Sequence, residues 1–218
     1  MTDLSKIAEN IQAGKAKEVS CLISRAISED CGIGCIVKEG IIAGMTAVDR
    51  RFRKNEISVP ELLVAERAMN MGIQIIQSYL DSRIIAPKGT VVVGTLEGDI
   101  LEREKNLTSI MMQGLGLRVV DLGVSVSTGQ LITAAIEEKA QIIACSAALT
   151  TYMPQMKSLV QAATSAQIRN TVKILISGGP VTVQFCRCIG ADMYAPDVIS
   201  AAEMAAAYFE SSTEARTA

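Results

Sequence analysis

The sequence predicts an α/β chain in two parts, an N-terminal four-helix bundle followed by a five-stranded parallel sheet with helices on both faces. Three observations carry this. Apolar residues from 3 to 82 recur at helical spacing. A stretch containing Pro87 and Gly89 then interrupts the pattern. Beyond it, short apolar runs alternate with intervals long enough for a helix.

In the first part, Leu4, Ile7 and Ile11 mark a short helix ended near Gly14, and Val19, Leu22, Ile23, Ala26 and Ile27 mark a second. Residues 35–52 supply a third. Pro60, tolerated in a helix's first turn, opens a fourth over 60–80. Glu61 falls in that first turn, where a carboxylate favours the helix dipole, so it is expected to cap rather than to pair with Glu56 for acid–base work. The expected boundaries are 1–84 for the bundle, 85–89 for a linker and 90–218 for the sheet.

In the second part, TVVVGT (90–95), RVVDLG (118–123), QIIACS (141–146), VKILIS (172–177) and ADMYAP (191–196) read as strands. Helices are expected near 102–115, 127–139, 154–167, 181–189 and 197–210. Strict alternation calls for parallel pairing, because each parallel crossover needs a helix-length connection. Five such units favour a flavodoxin-like, Rossmann-like sheet of order 2-1-3-4-5, whose ligand crevice lies at the carboxyl ends of strands 1 and 3. Three loops then converge there, 96–106, 146–154 and 177–180. Gly178 and Gly179 in the last would let a ligand approach the backbone closely, or form no more than a strand-to-helix turn. No GxGxxG follows the first strand, which disfavours a dinucleotide site.

Composition narrows the function classes. Hydrophobic residues make up 49% of the chain but aromatic ones only 3%, so the cores must rest on Ala, Ile, Leu, Val and Met. The net charge of −2, with Lys and Arg scattered, argues against a nucleic-acid surface. No apolar stretch reaches the roughly 18–20 residues of a membrane span, and the N-terminus has no apolar signal core. A cytoplasmic protein that contacts neither membrane nor nucleic acid is expected. Its six cysteines should be reduced and buried. Neither Cys31-x3-Cys35 nor Cys186-x-Cys188 has zinc spacing, and with 0 histidines no protein-ligated metal is expected. Lack of His also removes Ser-His and Cys-His catalysis, leaving carboxylates, thiols, Lys or a borrowed cofactor for any chemistry.

One succession of residues is distinctive: EGD (97–99), Ser146 after the third strand, and Gly178-Gly179 after the fourth. It resembles the cobalamin-binding domain of methionine synthase and of the corrinoid proteins that serve methanol, methylamine and O-demethylase methyltransferases. Their pattern is Asp-x-His-x-x-Gly, then Ser-x-Leu, then Gly-Gly. GTVVVGTLEGD (89–99), KN (105–106), VVDLG (119–123), LTTYM (149–153), SGGPVT (177–182) and GADMYAPD (190–197) look like the family's, as do EGIIAGMTAVDRRF (39–52) and NEISVPELLVAERAM (55–69) in the helical part. Asp99 matches, but Leu101 stands at the position of the cobalt-ligating His, Glu104 at that of the motif's Gly, and Ala148 at that of the Leu in Ser-x-Leu.

The resemblance implies a corrinoid (cobalamin) cofactor held without an imidazole ligand. Its site would comprise Gly98, Asp99, Leu101, Glu104, Ser146, Leu149, Thr150, Met153, Ser177, Gly178, Gly179, Tyr194 and Ala195. Met45 and Met69, with Val48 and Met71, are candidates for lining the corrinoid's upper face from the bundle, against the alternative of ordinary bundle core. In the family the aspartate orients the ligating imidazole; Leu101 offers no lone pair, so Asp99 has nothing of that kind to orient. Glu104 would be strained if the Gly it replaces needs a positive φ. Three readings stay open: a methyl carrier with no protein ligand to cobalt, a binder that keeps the cofactor's own benzimidazole on the metal as a carrier or sensor, and a cofactor-free paralogue acting as partner or scaffold. The carrier reading implies a substrate-specific methyltransferase and a methyl-accepting methyltransferase as partners, with room for a homodimer. It makes the chain a component rather than a complete enzyme, with no catalytic residue of its own. A receiver-type signalling domain is disfavoured, since Ser146 and Thr150 stand where a phosphorylatable Asp would be wanted.

Overall fold

The computed structural model describes residues 2–82 and 86–217. The chain forms two compact units, one ending at Ile84 and the other starting at Ile85. Residues 83–85, where the bundle is expected to give way to the linker, lie outside the described residues.

The first unit is helical: α1 (Ser5–Gln12), α2 (Ala16–Ser28), α3 (Ile33–Cys35), a π-helical stretch (Ile36–Ile42), α4 (Ala43–Arg53) and α5 (Val59–Asp81). The regular helix expected over 35–52 is thus interrupted by π turns. The reason is visible in burial. Ile36 and Ile41 are five apart, a spacing that an α-helix sets on different sides and a π turn brings together, and both are fully buried. They join Ile7, Ile11, Ile23 and Ile76 in the core, where burying each such side chain is worth roughly 1.5–3 kcal/mol. Gly44 lets α4 meet α1 backbone to backbone, since a Cβ there would lie 3.0 Å from both Cα and O of Ala8. At the start of α5, the Glu61 carboxylate accepts hydrogen bonds from the Ser58 hydroxyl (2.6 Å) and amide (2.8 Å), which hold its carboxyl below the ordinary range.

The second unit is a five-stranded parallel sheet, β1 (Thr90–Thr95), β2 (Arg118–Asp121), β3 (Ile142–Ser146), β4 (Lys173–Ser177) and β5 (Met193–Ala195), in the order β2-β1-β3-β4-β5. Between the strands run α6 (Arg103–Gly114), α7 (Thr128–Glu137), α8 (Met153–Ser165) and α9 (Val183–Ile189), with α10 (Val198–Thr217) last. Helices α6 and α10 pack together on one face of the sheet, and α7, α8 and α9 cover the other. The order is the one the alternation predicts. Strands β2 and β5 are shorter than expected, a 3-10 turn (Thr150–Tyr152) precedes α8, and α10 continues beyond 210. On the α7–α9 face, Val92, Leu96, Ile143, Cys145, Ile174 and Ile176 pack against Leu131, Met156 and Leu159, a core without a buried aromatic ring at its centre. Among the described residues no helix is long and apolar enough to cross a membrane.

The cysteines depart from expectation. Only Cys145 and Cys186 are buried; Cys21, Cys35 and Cys188 are exposed and Cys31 is half-buried. Their helices bury Ile, Val and Ala instead and turn these thiols outward. Burial pushes the Cys145 thiol up to about 12. A thiol reagent applied to the native protein at neutral pH should therefore label Cys21, Cys35 and Cys188 promptly and leave Cys145 and Cys186 intact, as read by peptide mass mapping. Prompt labelling of Cys145 would contradict this packing.

Candidate functional site

Parallel register brings three hydroxyl residues into one row at the carboxyl ends of the central strands: Thr95 of β1 lies beside Ser146 of β3, which lies beside Ser177 of β4. Strand alternation sends these side chains, with Val93, Ala144 and Leu175 one step below, toward the α6 face. Under this row is a cavity of about 10 Å³, closed on the helix side by Lys105 and Thr108, with room for about one water. Lys105 reaches from α6 to the end of β2. Its side chain is 3% exposed, and its ammonium donates to Asp121 and to Asn106 Oδ1 (2.7 Å), while Gly123 N donates to the other Asp121 oxygen (2.8 Å). The hydroxyls of Ser146 and Ser177 are committed to no hydrogen bond among the described residues.

The β1–α6 loop is lashed in place around Asp99, which is 2% exposed. Asp99 Oδ1 accepts from Leu101 N (3.0 Å) and Oδ2 from Ala148 N (2.9 Å), tying this loop to the one after β3. Its main-chain oxygen accepts from the Thr95 hydroxyl and from Ser125 N (3.1 Å). Ser125 N also donates to Thr95 Oγ1 (3.0 Å), and Gly98 N donates to Ser125 Oγ (3.0 Å). From the far side, Tyr152 OH donates to Gly98 O (3.0 Å) and Gln155 Nε2 to Glu97 O (2.9 Å). Charge-assisted bonds to amides are the strong members of such a set.

Fixing the loop in this way presents apolar side chains outward. Ile100 is 72% exposed, Leu101 61% and Leu149 54%, on the two loops that the Asp99–Ala148 bond joins.

The glycine pair divides in role. Gly178 is buried with φ +122°, and a Cβ there would sit 2.1 Å from Ala147 O; its requirement is the turn itself. Gly179 is exposed, and a Cβ on it would meet nothing within 4 Å. Gly178→Ala should cost about 2 kcal/mol of stability, and Gly179→Ala less than about 0.5 kcal/mol. Urea unfolding of the two variants tests this, and equal losses would refute the division.

The remaining expected site residues are dispersed. Thr150 is exposed in the 3-10 turn. Met153 and Tyr194 are half-buried against the α7–α9 core, and Ala195 is fully buried beside Ser177. Glu104 lies in α6 with helical backbone and an exposed side chain, so the strain expected of it does not arise. Met45 (3% exposed), Met69 (2%) and Val48 (1%) belong to the first unit's core rather than its surface; Met71 is exposed. Sequence reading missed Thr95, Lys105, Ser125, Tyr152 and Gln155. Thr95 had a signal, a lone hydroxyl closing the apolar run of β1, and so did Lys105, a cation among the buried positions of α6. Ser125 had none, because its φ of +54° is set by loop geometry.

Comparison with known proteins agrees with this architecture. Residues 89–208 and residues 4–77 each match a B12 binding domain model. A corrinoid protein of Desulfitobacterium hafniense is 31% identical over 94% of this chain and 96% of its own length. The monomethylamine corrinoid protein of Methanosarcina barkeri superposes with a TM-score of 0.77 at 26% identity, covering 94% of this chain and 97% of that one. A chain of the methanol:cobalamin methyltransferase complex of the same organism matches with a TM-score of 0.55 at 25% identity, covering 94% of this chain and 78% of that one. A five-stranded sheet in this order, a helical unit before it and matches along nearly the whole chain have one reading: the chain belongs to the B12-binding-domain family of corrinoid proteins.

Proposed function

We propose that this chain is the corrinoid-carrying component of a methyltransferase system and holds its cofactor with no side-chain ligand to cobalt. The observation that carries the reading is at position 101. There an exposed leucine, its amide pinned by Asp99, stands at the crevice where the family places an imidazole. The residues fit a corrin ring at the rim. Ile100, Leu101 and Leu149 offer apolar contact to the ring's face, Gly179 leaves the backbone bare, and Ser146 and Ser177 hold uncommitted hydroxyls. They do not fit a nitrogen donor at 101, and the interior below does not fit a large group. When bound, a corrinoid supplies the methyl-accepting cobalt; the chain's residues bind the ring, orient it and shield it from water.

On this reading the partners are a substrate-specific methyltransferase and a methyl-accepting one, with a homodimer as a further assembly to test. The helical unit, 1–84, and the sheet unit, 90–218, are taken as separate domains joined by 85–89.

Reconstitution with hydroxocobalamin in the dark, followed by gel filtration, tests the proposal. Corrinoid absorbance should travel with the protein. After one-electron reduction, uniform ¹⁵N labelling of the protein should leave the cobalt(II) hyperfine pattern unchanged, and the spectrum itself separates base-on from base-off binding. No retained absorbance would sink the reading, and a pattern altered by the label would show a protein nitrogen on cobalt.

A further inference from the structure

We propose that this chain grips a corrinoid by its ring alone and is indifferent to the nucleotide that carries the cofactor's lower base. The inference rests on the corrinoid reading above and is carried by the interior beneath the crevice. Between α6 and the carboxyl halves of β1, β3 and β4 there is about 10 Å³ of space, enough for a water. An aromatic base with its ribose phosphate is many times that size.

The closure is built rather than incidental. Lys105 crosses the gap with its side chain 3% exposed and its ammonium bonded to Asp121 and Asn106. Ser109, on the next turn of α6, donates to the same Asp121 oxygen (3.3 Å), and Thr108 donates to Glu104 O within the helix (2.8 Å). A group entering here would have to part Lys105 from Asp121, leaving a buried charge unpaired, and lift α6 from the sheet. A phosphate would gain no idle cation in exchange, because the ammonium is already compensated. At the mouth the opposite holds. The exposed side chains of Ile100, Leu101 and Leu149 and the free hydroxyls of Ser146 and Ser177 lie within reach of a flat ring edged with carboxamides.

Lower-base specificity is therefore absent from this chain. Titrating the full chain in the dark with cyanocobalamin and with dicyanocobinamide, the same ring without the nucleotide, should give dissociation constants within about fivefold of each other. Tighter binding of cobinamide by more than that factor would overturn the indifference, because the nucleotide would then be obstructing the ring. Tighter binding of cyanocobalamin by more than about fivefold would overturn it, because the nucleotide would then be contributing contacts. The ³¹P resonance of bound cobalamin gives an independent readout. A soluble paramagnetic agent should broaden it as it broadens the free cofactor, and protection would overturn the inference. Retention of neither corrinoid would instead defeat the cofactor reading on which this one stands.

Discussion

Replacing Asp99 with alanine should lower the unfolding free energy by about 2–4 kcal/mol, a large effect for a loop residue. Both carboxylate oxygens accept main-chain amides, from Leu101 in the same loop and from Ala148 in the next. Alanine removes the partner of both donors at a position 2% exposed. Asparagine keeps one acceptor oxygen and should lose roughly half as much. Urea unfolding measures the difference, and amide hydrogen exchange at Leu101 and Ala148 localises it, since those two protons should exchange faster in the alanine variant. A loss under about 0.5 kcal/mol, with unchanged exchange at both amides, would mean that the Tyr152 and Gln155 bonds suffice to hold the loop.

That dual bond also explains what could and could not be read from the sequence. Strand positions, their parallel order and the crevice at β1 and β3 were legible because alternation of apolar runs with helix-length intervals leaves few topologies. The departures at 101 and 148 were legible as departures. What the structure adds is that these two positions meet, through the carboxylate of Asp99, whereas Glu104 lies apart on the exposed side of α6. The pairing of an aspartate with an amide 49 residues on has no periodic signature. The π-helical stretch was hidden for a similar reason: i to i+5 burial of Ile36 and Ile41 mimics a slightly irregular α-helix. For Met45 and Met69 both a lining and a core were open, because thioethers suit the two equally, and their burial is that of core side chains.

Restoring the missing donor gives the sharpest functional contrast. In Leu101→His the side chain would project from an exposed position whose backbone Asp99 already fixes, so the imidazole needs no rearrangement of the loop to reach the rim. Since the native chain contains 0 histidines, ¹⁵N-histidine labelling places the isotope at that one residue. After reconstitution and reduction, the cobalt(II) spectrum of the variant should show hyperfine coupling to nitrogen that changes from the ¹⁴N to the ¹⁵N pattern on labelling, an effect that the native chain has no means to produce. Ligation requires neutral imidazole. It should be complete well above the ordinary histidine value of about 6.5 and lost as pH falls through the apparent value, which metal binding draws lower still. Stability of the loaded variant should follow the same direction, because the proton competes with the metal for one lone pair. Were the labelled and unlabelled spectra identical at high pH while the corrinoid remained bound, the ring would be sitting too far from position 101 for any side chain there to reach cobalt. Leucine at 101 would then be a consequence of where this chain seats its cofactor rather than the cause of its ligation state.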